Sequence, residues 1–489
     1  MKKTRLTALI LALLMAGSTL VACSTPDEPD DSENTTVSDK ETNADELKDN
    51  LPAGLNYNKD EIVFISSDLI TTDELTGDPV EDVIYERNSA VEQRLNVKIT
   101  CINDSDAVNK MITAVKSNTA DYDVLVDYCW KVAPNFTEGY FADLRQSKHL
   151  DFEKIWWNQS FNDVVVYNDM QFGVTGAMVL SLYRRTFVTT FNKPLFINAN
   201  QEFLYEYVEN GTWTLDKQAS LVPLFHQDNG NQVADMDGDI FGFVSNDFIS
   251  VDPYWAACEV DIIRKNASGE YEWVFDTNKM YDMAEKVLNL YYGTDGAAYI
   301  ETDDFAAEDT ILSLFSKGHA AMATMAIEQL ESADMRDMPQ EYGVVPIPKY
   351  SEAQTTYRSQ MHDGFTVISI PTTVQGERLN EMSAVLEAMA SCSYNLVRPV
   401  YYETTLRTKI AQDPQSSVMM DLIINNIHID AGFVYSHSMK VNGQGFHQSF
   451  QQLIATKTND TASRFKSSSN AAKKGLRDLV HKLDTLTNQ

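Results

Sequence analysis

The sequence predicts an α/β protein whose helices cover both faces of a parallel sheet. Three observations carry this. Between residues 61 and 130, short β-rich apolar runs alternate with longer amphipathic stretches. Hydrophobic residues make up 43% of the chain, enough for a packed core and too many for a globally disordered one. The chain has 489 residues, and at roughly 100–200 residues per domain it has room for more than one folded unit.

The elements follow in order. Residues 61–66 (EIVFIS) form a strand ending in Ser66-Ser67-Asp68. Residues 79–95 form a helix, because Val83, Ile84, Val91 and Leu95 recur at helical spacing and Glu81 and Asp82 sit at its electropositive start. Residues 96–100 are the next strand. Val108 to Ser117 is a second helix with apolar Met111, Ile112 and Val115, and residues 123–127 are a third strand. In such sheets ligands gather beyond the carboxyl ends of the strands. Two of those ends are polar or aromatic: Ser67-Asp68 and Asp127-Tyr128-Cys129-Trp130.

Beyond this unit, Trp156 and Trp157 lie near a turn, and residues 186–193 (TFVTTFNK) suit a strand crossing the molecule. Thr214 is placed as an N-cap for the helix opening at Leu215. Residues 342–346 and 364–371 are strand-like, and residues 377–392 form a helix. The stretch 398–485 is mostly helical, with breaks near Gly432 and Gly443. Core packing is the expected role of Trp156, Trp157 and Trp213.

The N-terminus has a different character. Lys2, Lys3 and Arg5 precede an apolar run, Leu6 to Ala16, that is shorter than the ~20 residues needed to span a bilayer. Residues 1–22 therefore suit a signal peptide. Its end, Leu20-Val21-Ala22-Cys23, resembles the bacterial lipobox. That resemblance implies cleavage before Cys23 and a diacylglycerol on its sulfur, anchoring the chain to a membrane surface. Residues 24–50 hold ten acids and two bases with almost nothing apolar, so residues 23–54 are expected to be a lipidated, flexible tether.

Composition excludes several function classes. The formal charge of −32 repels phosphate backbones and argues against nucleic-acid binding. Five cysteines without a C-x-x-C pair support neither a disulfide scaffold nor a zinc ribbon. Cys101, Cys129, Cys258 and Cys392 suit small buried residues, and a Cys129–Cys258 bridge stays open. No HExxH helix, GxSxG elbow or P-loop occurs, and Gly443-Gln444-Gly445 lacks the third glycine of a dinucleotide site. The eight histidines are scattered, none at metal-ligand spacing with a nearby cysteine. Asp235-Met236-Asp237-Gly238-Asp239 suggests calcium, but Gly238 comes too early for an EF-hand and no glutamate closes the loop. It fits an acidic surface turn better. No metal, cofactor or catalytic residue is expected.

Several stretches together resemble a known family. They are Phe315-Ser316-Lys317-Gly318-His319-Ala320-Ala321-Met322, Asp252-Pro253-Tyr254, the strand Ala120 to Val126, Asn210 to Asp216, and Val397-Arg398-Pro399-Val400-Tyr401-Tyr402. Their order resembles the extracellular solute-binding lipoproteins of ABC importers, in the sugar-binding group of the maltose-binding-protein type (solute-binding family 1). The resemblance implies a type II periplasmic-binding-protein-like fold, with two discontinuous α/β lobes, a hinge and a ligand cleft. It places lobe 1 at about residues 55–185 plus 345–392, and lobe 2 at about 186–344 plus 393–489. It also implies a monomer at the outer face of the cytoplasmic membrane, which captures a carbohydrate and passes it to ABC permease subunits.

A sugar offers apolar C–H faces and a rim of hydroxyls, so it suits an aromatic platform flanked by carboxylates. The expected ligand-binding residues are Ser67, Asp68, Asp127, Trp130, Asp252, Tyr254, Trp255, Glu328, Asp363, Tyr401 and Tyr402. Two have an alternative role in packing: Asp127 as a helix cap and Trp130 inside the core. Glu328 stands where maltodextrin-binding members of the group have a stacking tryptophan, which argues against maltodextrin. The competing readings are a binder of peptides or other non-sugar solutes, and a lipid-anchored glycoside hydrolase. The hydrolase would need two carboxylates about 5–10 Å apart across the scissile bond.

Overall fold

The computed structural model describes residues 47–487, apart from 69, 73, 233–234, 237, 294–295, 304–305, 411–412 and 459. The expected signal peptide, Cys23, most of the acidic tether, and Asp237 of the calcium-like turn lie outside the described residues.

Two sheets organise the chain. In the first, β1 (Asp60–Ser66) lies between β2 (Val97–Asn103) and β3 (Val124–Tyr128), parallel to both. The helices Pro79–Leu95 and Ala107–Ser117 make the crossovers. The first begins as its sequence dictates. The Asp78 carboxylate accepts the backbone N–H groups of Val80 and Glu81, Pro79 needs no N–H partner at the first turn, and Asn96 ends the helix in the left-handed region. A fourth strand, β11 (Thr366–Ser369), adds antiparallel to β3, with Thr366 opposite Tyr128.

The second sheet has the order β10–β4–β9–β5–β8. Here β4 (Phe187–Asn192) runs antiparallel to both β9 (Met322–Ala326) and β10 (Tyr342–Val345). By contrast, β5 (Phe243–Asn246) is parallel to β9 and to β8 (Ala298–Glu301). Both sheets are thus mixed where a parallel sheet was expected. The antiparallel pairs arise where the chain passes between the sheets and returns beside its outgoing path. The motif 315–322 forms the helix-to-strand junction into β9, and Gly318 makes the turn at φ +81°. A separate hairpin, β6 (Ile263–Lys265) with β7 (Tyr271–Trp273), stands outside both sheets.

The crossings set the geometry of the site. Residues 185–187 run alongside residues 360–362: Phe187 donates its N–H to the Gln360 carbonyl (3.0 Å), and His362 donates to that of Arg185 (2.9 Å). A third crossing continues the helix Glu377–Cys392. There the chain widens into i→i+5 turns over Ser393–Val397, where Arg398 N–H reaches the Ser393 carbonyl. A second wide stretch, Tyr401–Ile410, follows Pro399.

One apolar cluster runs through both lobes, from Ile65 and Leu125 beside the first sheet to Phe191 and Phe243 of the second. Two others cover the remaining faces, around Phe64, Val91 and Met389, and around Val188, Phe315 and Met420. Trp156, Trp157 and Trp213 are fully buried. The Trp157 indole donates to Glu387 Oε2 (3.0 Å) and the Trp213 indole to the Pro346 carbonyl (2.8 Å). Cys129 and Cys258 are buried free thiols, which closes the open question of a bridge between them.

Candidate functional site

The strand ends of the first sheet divide into a structural and an accessible part. Asp127 is wholly buried, accepting the Ser67 hydroxyl (2.6 Å) and the Val108 N–H (3.0 Å). Its carboxylate caps the helix Ala107–Ser117 and has no face for a ligand in this conformation, and the Ser67 hydroxyl is spent on it. Asp68 is half-buried and accepts the Thr366 hydroxyl (3.1 Å) across the sheet. Trp130, on the short helix Cys129–Val132, is 38% exposed. Its ring centroid lies 5.8 Å from that of His437, and the Lys131 ammonium stands 5.4 Å from it.

Trp130 also borders a buried polar cluster, because its backbone N–H donates to the Asp363 carbonyl (3.2 Å). Asp363 Oδ2 lies 3.4 Å from His437 Nε2 and 3.7 Å from His447 Nε2, and its other oxygen lies 3.4 Å from His362 Nδ1. Asp252 closes the cluster from behind, with Oδ2 3.9 Å from His447 Nε2 and both oxygens accepting from the Gln451 amide (3.0 and 3.1 Å). Burial pushes the Asp363 carboxyl up, but the His437 hydrogen bond and the flanking histidines outweigh it and hold the group at about 2. Asp252 moves the other way: burial, then the charge of Asp363, push it well above the usual carboxylate range. Burial lowers His447 to about 4 against the pull of Asp363.

A local turn assembles the two histidines. Val441 and Gln444 exchange both backbone hydrogen bonds, with Asn442 and Gly443 at positive φ between them. The turn folds residues 436–438 back onto residues 445–447. A Cβ on Gly445 would lie 2.8 Å from Ser436 Oγ, so glycine permits the close approach.

On the other side of Trp130 and Tyr128 is a set of ion pairs between the lobes. The Arg185 guanidinium lies 5.0 Å from the Tyr128 ring centroid and 3.4 Å from Glu328 Oε1. Arg184 pairs with Glu331 at 3.2 Å and also feels the charges of Glu328 and Asp68. Burial raises the Glu331 carboxyl, with Arg184 offsetting part of the shift.

The structure thus brings Asp68, Trp130, Glu328, Asp363 and Asp252 to one strip between the lobes, with Asp252 at its buried end. It places the other expected residues elsewhere. Tyr254 is fully buried, edge-on to Tyr291. Trp255 packs among Phe275, Phe446, Phe450 and Phe465. Both belong to the helix Pro253–Ala257, whose apolar face turns them inward and away from the cleft role expected of them. Tyr401 is buried against Tyr183 and donates to Glu331 (2.6 Å). Tyr402 lies between the guanidiniums of Arg398 and Arg407. In the calcium-like turn, Asp239 accepts the N–H groups of Asn229 and Asp235, so its carboxylate ties the loop together. His437 and His447 escaped sequence reasoning, since only the tertiary fold brings them to Asp363. The Asn442-Gly443 pair was the one local signal.

No protein-family model and no curated protein matches the chain. Solved structures do. A cyclic α-maltosyl-1,6-maltose binding protein from Arthrobacter globiformis superimposes with a TM-score of 0.58 at 14% identity, covering 86% of this chain and 100% of its own. The galacto-N-biose-/lacto-N-biose I-binding protein of an ABC transporter from Bifidobacterium longum gives 0.57 at 13%, covering 86% and 98%. UgpB from Mycobacterium tuberculosis, solved in complex with glycerophosphocholine, gives 0.54 at 15%, covering 86% and 99%. At such identities the likeness establishes architecture: this chain has the two-lobe α/β periplasmic-binding-protein-like fold of the solute-binding proteins to which sugar-binding ABC transporter receptors belong.

Proposed function

We propose that the protein captures a carbohydrate between its lobes and delivers it to an ABC permease. The carrying observation is Trp130, an indole left 38% exposed beside Asp363, with Asp68 held by Thr366 and Glu328 paired with Arg185, which itself lies over the neighbouring Tyr128 ring. An aromatic face beside hydroxyl-accepting carboxylates is the chemistry a sugar needs. The sugar-binding neighbours named above support the same reading. Capture is conformational, not catalytic: ligand favours the closed state by its differential affinity for it. The proposal includes cleavage before Cys23, lipidation of that residue, and a monomer held by the acidic tether at the outer face of the cytoplasmic membrane. It also assigns about residues 55–185 and 345–392 to lobe 1, and about 186–344 and 393–489 to lobe 2.

The test is a thermal-shift screen of the purified protein against mono- and oligosaccharides. Ligand that binds only the folded state stabilises it by RT ln(1 + [L]/Kd), about 2.7 kcal/mol at a hundredfold excess over Kd. One sugar series should raise Tm, and Trp130→Ala should abolish the rise. The glycerophosphocholine complex of UgpB, together with Lys131 and Arg185 beside the aromatic strip, favours a second reading, a polar non-sugar solute. A shift with glycerophosphodiesters and none with sugars would select it.

A further inference from the structure

We propose that Asp363, His437 and His447, with Asp252 behind them, form a binding site for one divalent transition-metal ion of the zinc type, clamped between the two lobes. The first argument is convergence. The ligand atoms of Asp363, His437 and His447 all lie within 4.8 Å of one another. Ligands at zinc distances of about 2.0–2.2 Å in a tetrahedron stand roughly 3.3–3.5 Å apart. The observed separations from Asp363 Oδ2, 3.4 Å to His437 and 3.7 Å to His447, are close to that geometry before any ion draws the groups inward.

The second argument is the support behind the ligands. His447 Nδ1 is held by Ser436 Oγ at 2.7 Å, and the same oxygen accepts the His447 backbone N–H at 3.0 Å. This fixes the ring and turns Nε2 into the cluster, as outer partners do for metal-bound imidazoles. Asp252 is aimed in the same way by the Gln451 amide on both its oxygens.

The third argument is charge. Asp252 is 1% exposed and faces Asp363, yet among the described residues neither acid pairs with an arginine or lysine. The other acid–histidine pair, Asp261 with His428, is balanced by Arg264 and Arg358. Two carboxylates brought together without a fixed cation suit a bound one. Two imidazoles with carboxylate oxygens select zinc-like ions over calcium or magnesium, which take six or more oxygen ligands. The ligands also come from both sides of the junction. Asp363 follows the crossing segment and is tied to Trp130, while Asp252 follows β5 and the histidines belong to the C-terminal segment. An ion bound to all of them would favour the closed arrangement.

The test uses the protein purified without a polyhistidine tag and stripped with a chelator. Zinc binding is followed by calorimetry, and cobalt(II) binding by visible absorption. Expected are one zinc per chain at low-micromolar affinity or tighter, and a cobalt spectrum of the intense four-coordinate type. Calcium should not compete. His437→Gln and Asp363→Asn, both at partly exposed positions, should each weaken zinc binding about tenfold or more. The exposed His481→Ala should leave it unchanged. His447 is buried, so its variant is reserved for a confirmed fold by circular dichroism. No zinc uptake, or uptake untouched by both His437→Gln and Asp363→Asn, would overturn the proposal and leave the cluster an internal ion pair. The titration needs no sugar, so its outcome is separate from that of the ligand screen.

Discussion

Glu387 has no exposed surface, and its Oε2 accepts the Trp157 indole (3.0 Å) and the Asp151 N–H (3.3 Å). Burial pushes its carboxyl up to about 7, more than those two hydrogen bonds can offset. In the unfolded chain a glutamate titrates near about 4.3. The folded state therefore holds the extra proton between these values. Stability falls as pH rises through that window and levels off above 7, where both states are ionised. Glu387→Gln should remove this loss, so the variant gains on the wild type in thermal melts at pH 8 relative to pH 5. Equal pH dependence in the two proteins would assign the effect to another group. Asp127 gives a second prediction at this scale. Asp127→Ala strands the Val108 N–H and the Ser67 hydroxyl and should cost about 1–3 kcal/mol in urea unfolding. The peptide 127–130 marks what single residues reveal. Its position at a strand end was legible. Which side chain caps a helix and which stays open depends on where the next helix begins, and short-range pattern does not contain that.

Elements were most legible where their signals are local. The helix Pro79–Leu95 was readable because cap, proline, acidic first turn and apolar spacing agree within one stretch. The antiparallel entry of β11 beside β3 was not, because its partner lies about 240 residues away in sequence and nothing local specifies it. The same limit hid the histidine cluster: the turn 441–444 is local, whereas Asp363 and Asp252 arrive from elsewhere. Close element packing also leaves a testable mark at Gly242, just before β5. A Cβ there would lie 1.9 Å from the Val222 carbonyl oxygen, on the helix Leu215–Phe225. Backbone cannot yield as a flexible side chain does, so Gly242→Ala should destabilise by about 3 kcal/mol. An unchanged urea midpoint would mean that this helix and strand can separate freely.

At the scale of the whole molecule, the crossing segments are only part of what joins the lobes. Tyr167, from the lobe of the first sheet, stacks on Tyr271 of the β6–β7 hairpin at 5.3 Å and donates to Asp484 of the C-terminal helix (3.0 Å). Tyr271 in turn donates to the Val164 carbonyl (2.7 Å) and packs edge-on to Tyr435, which meets Phe136 at 6.5 Å. The partners in each of these contacts lie more than a hundred positions apart, and no spacing in the sequence announced the latch. The two-lobe plan, by contrast, was legible from an ordered set of short stretches, because architecture survives at 13–14% identity where contacts do not. An aromatic pair contributes about 0.5–1.5 kcal/mol beyond burial, and a hydrogen bond about 1 kcal/mol. If Tyr271 makes these contacts only when the lobes are closed, Tyr271→Ala weakens closure by about 2–3 kcal/mol, a shift of roughly 30- to 150-fold toward the open state. Small-angle X-ray scattering of the ligand-free variant should then give a larger radius of gyration than the wild type, at unchanged helical content. Ligand affinity should fall in step, because part of the binding energy must now close the lobes. An unaltered radius would show that the crossing segments hold the lobes together without the latch.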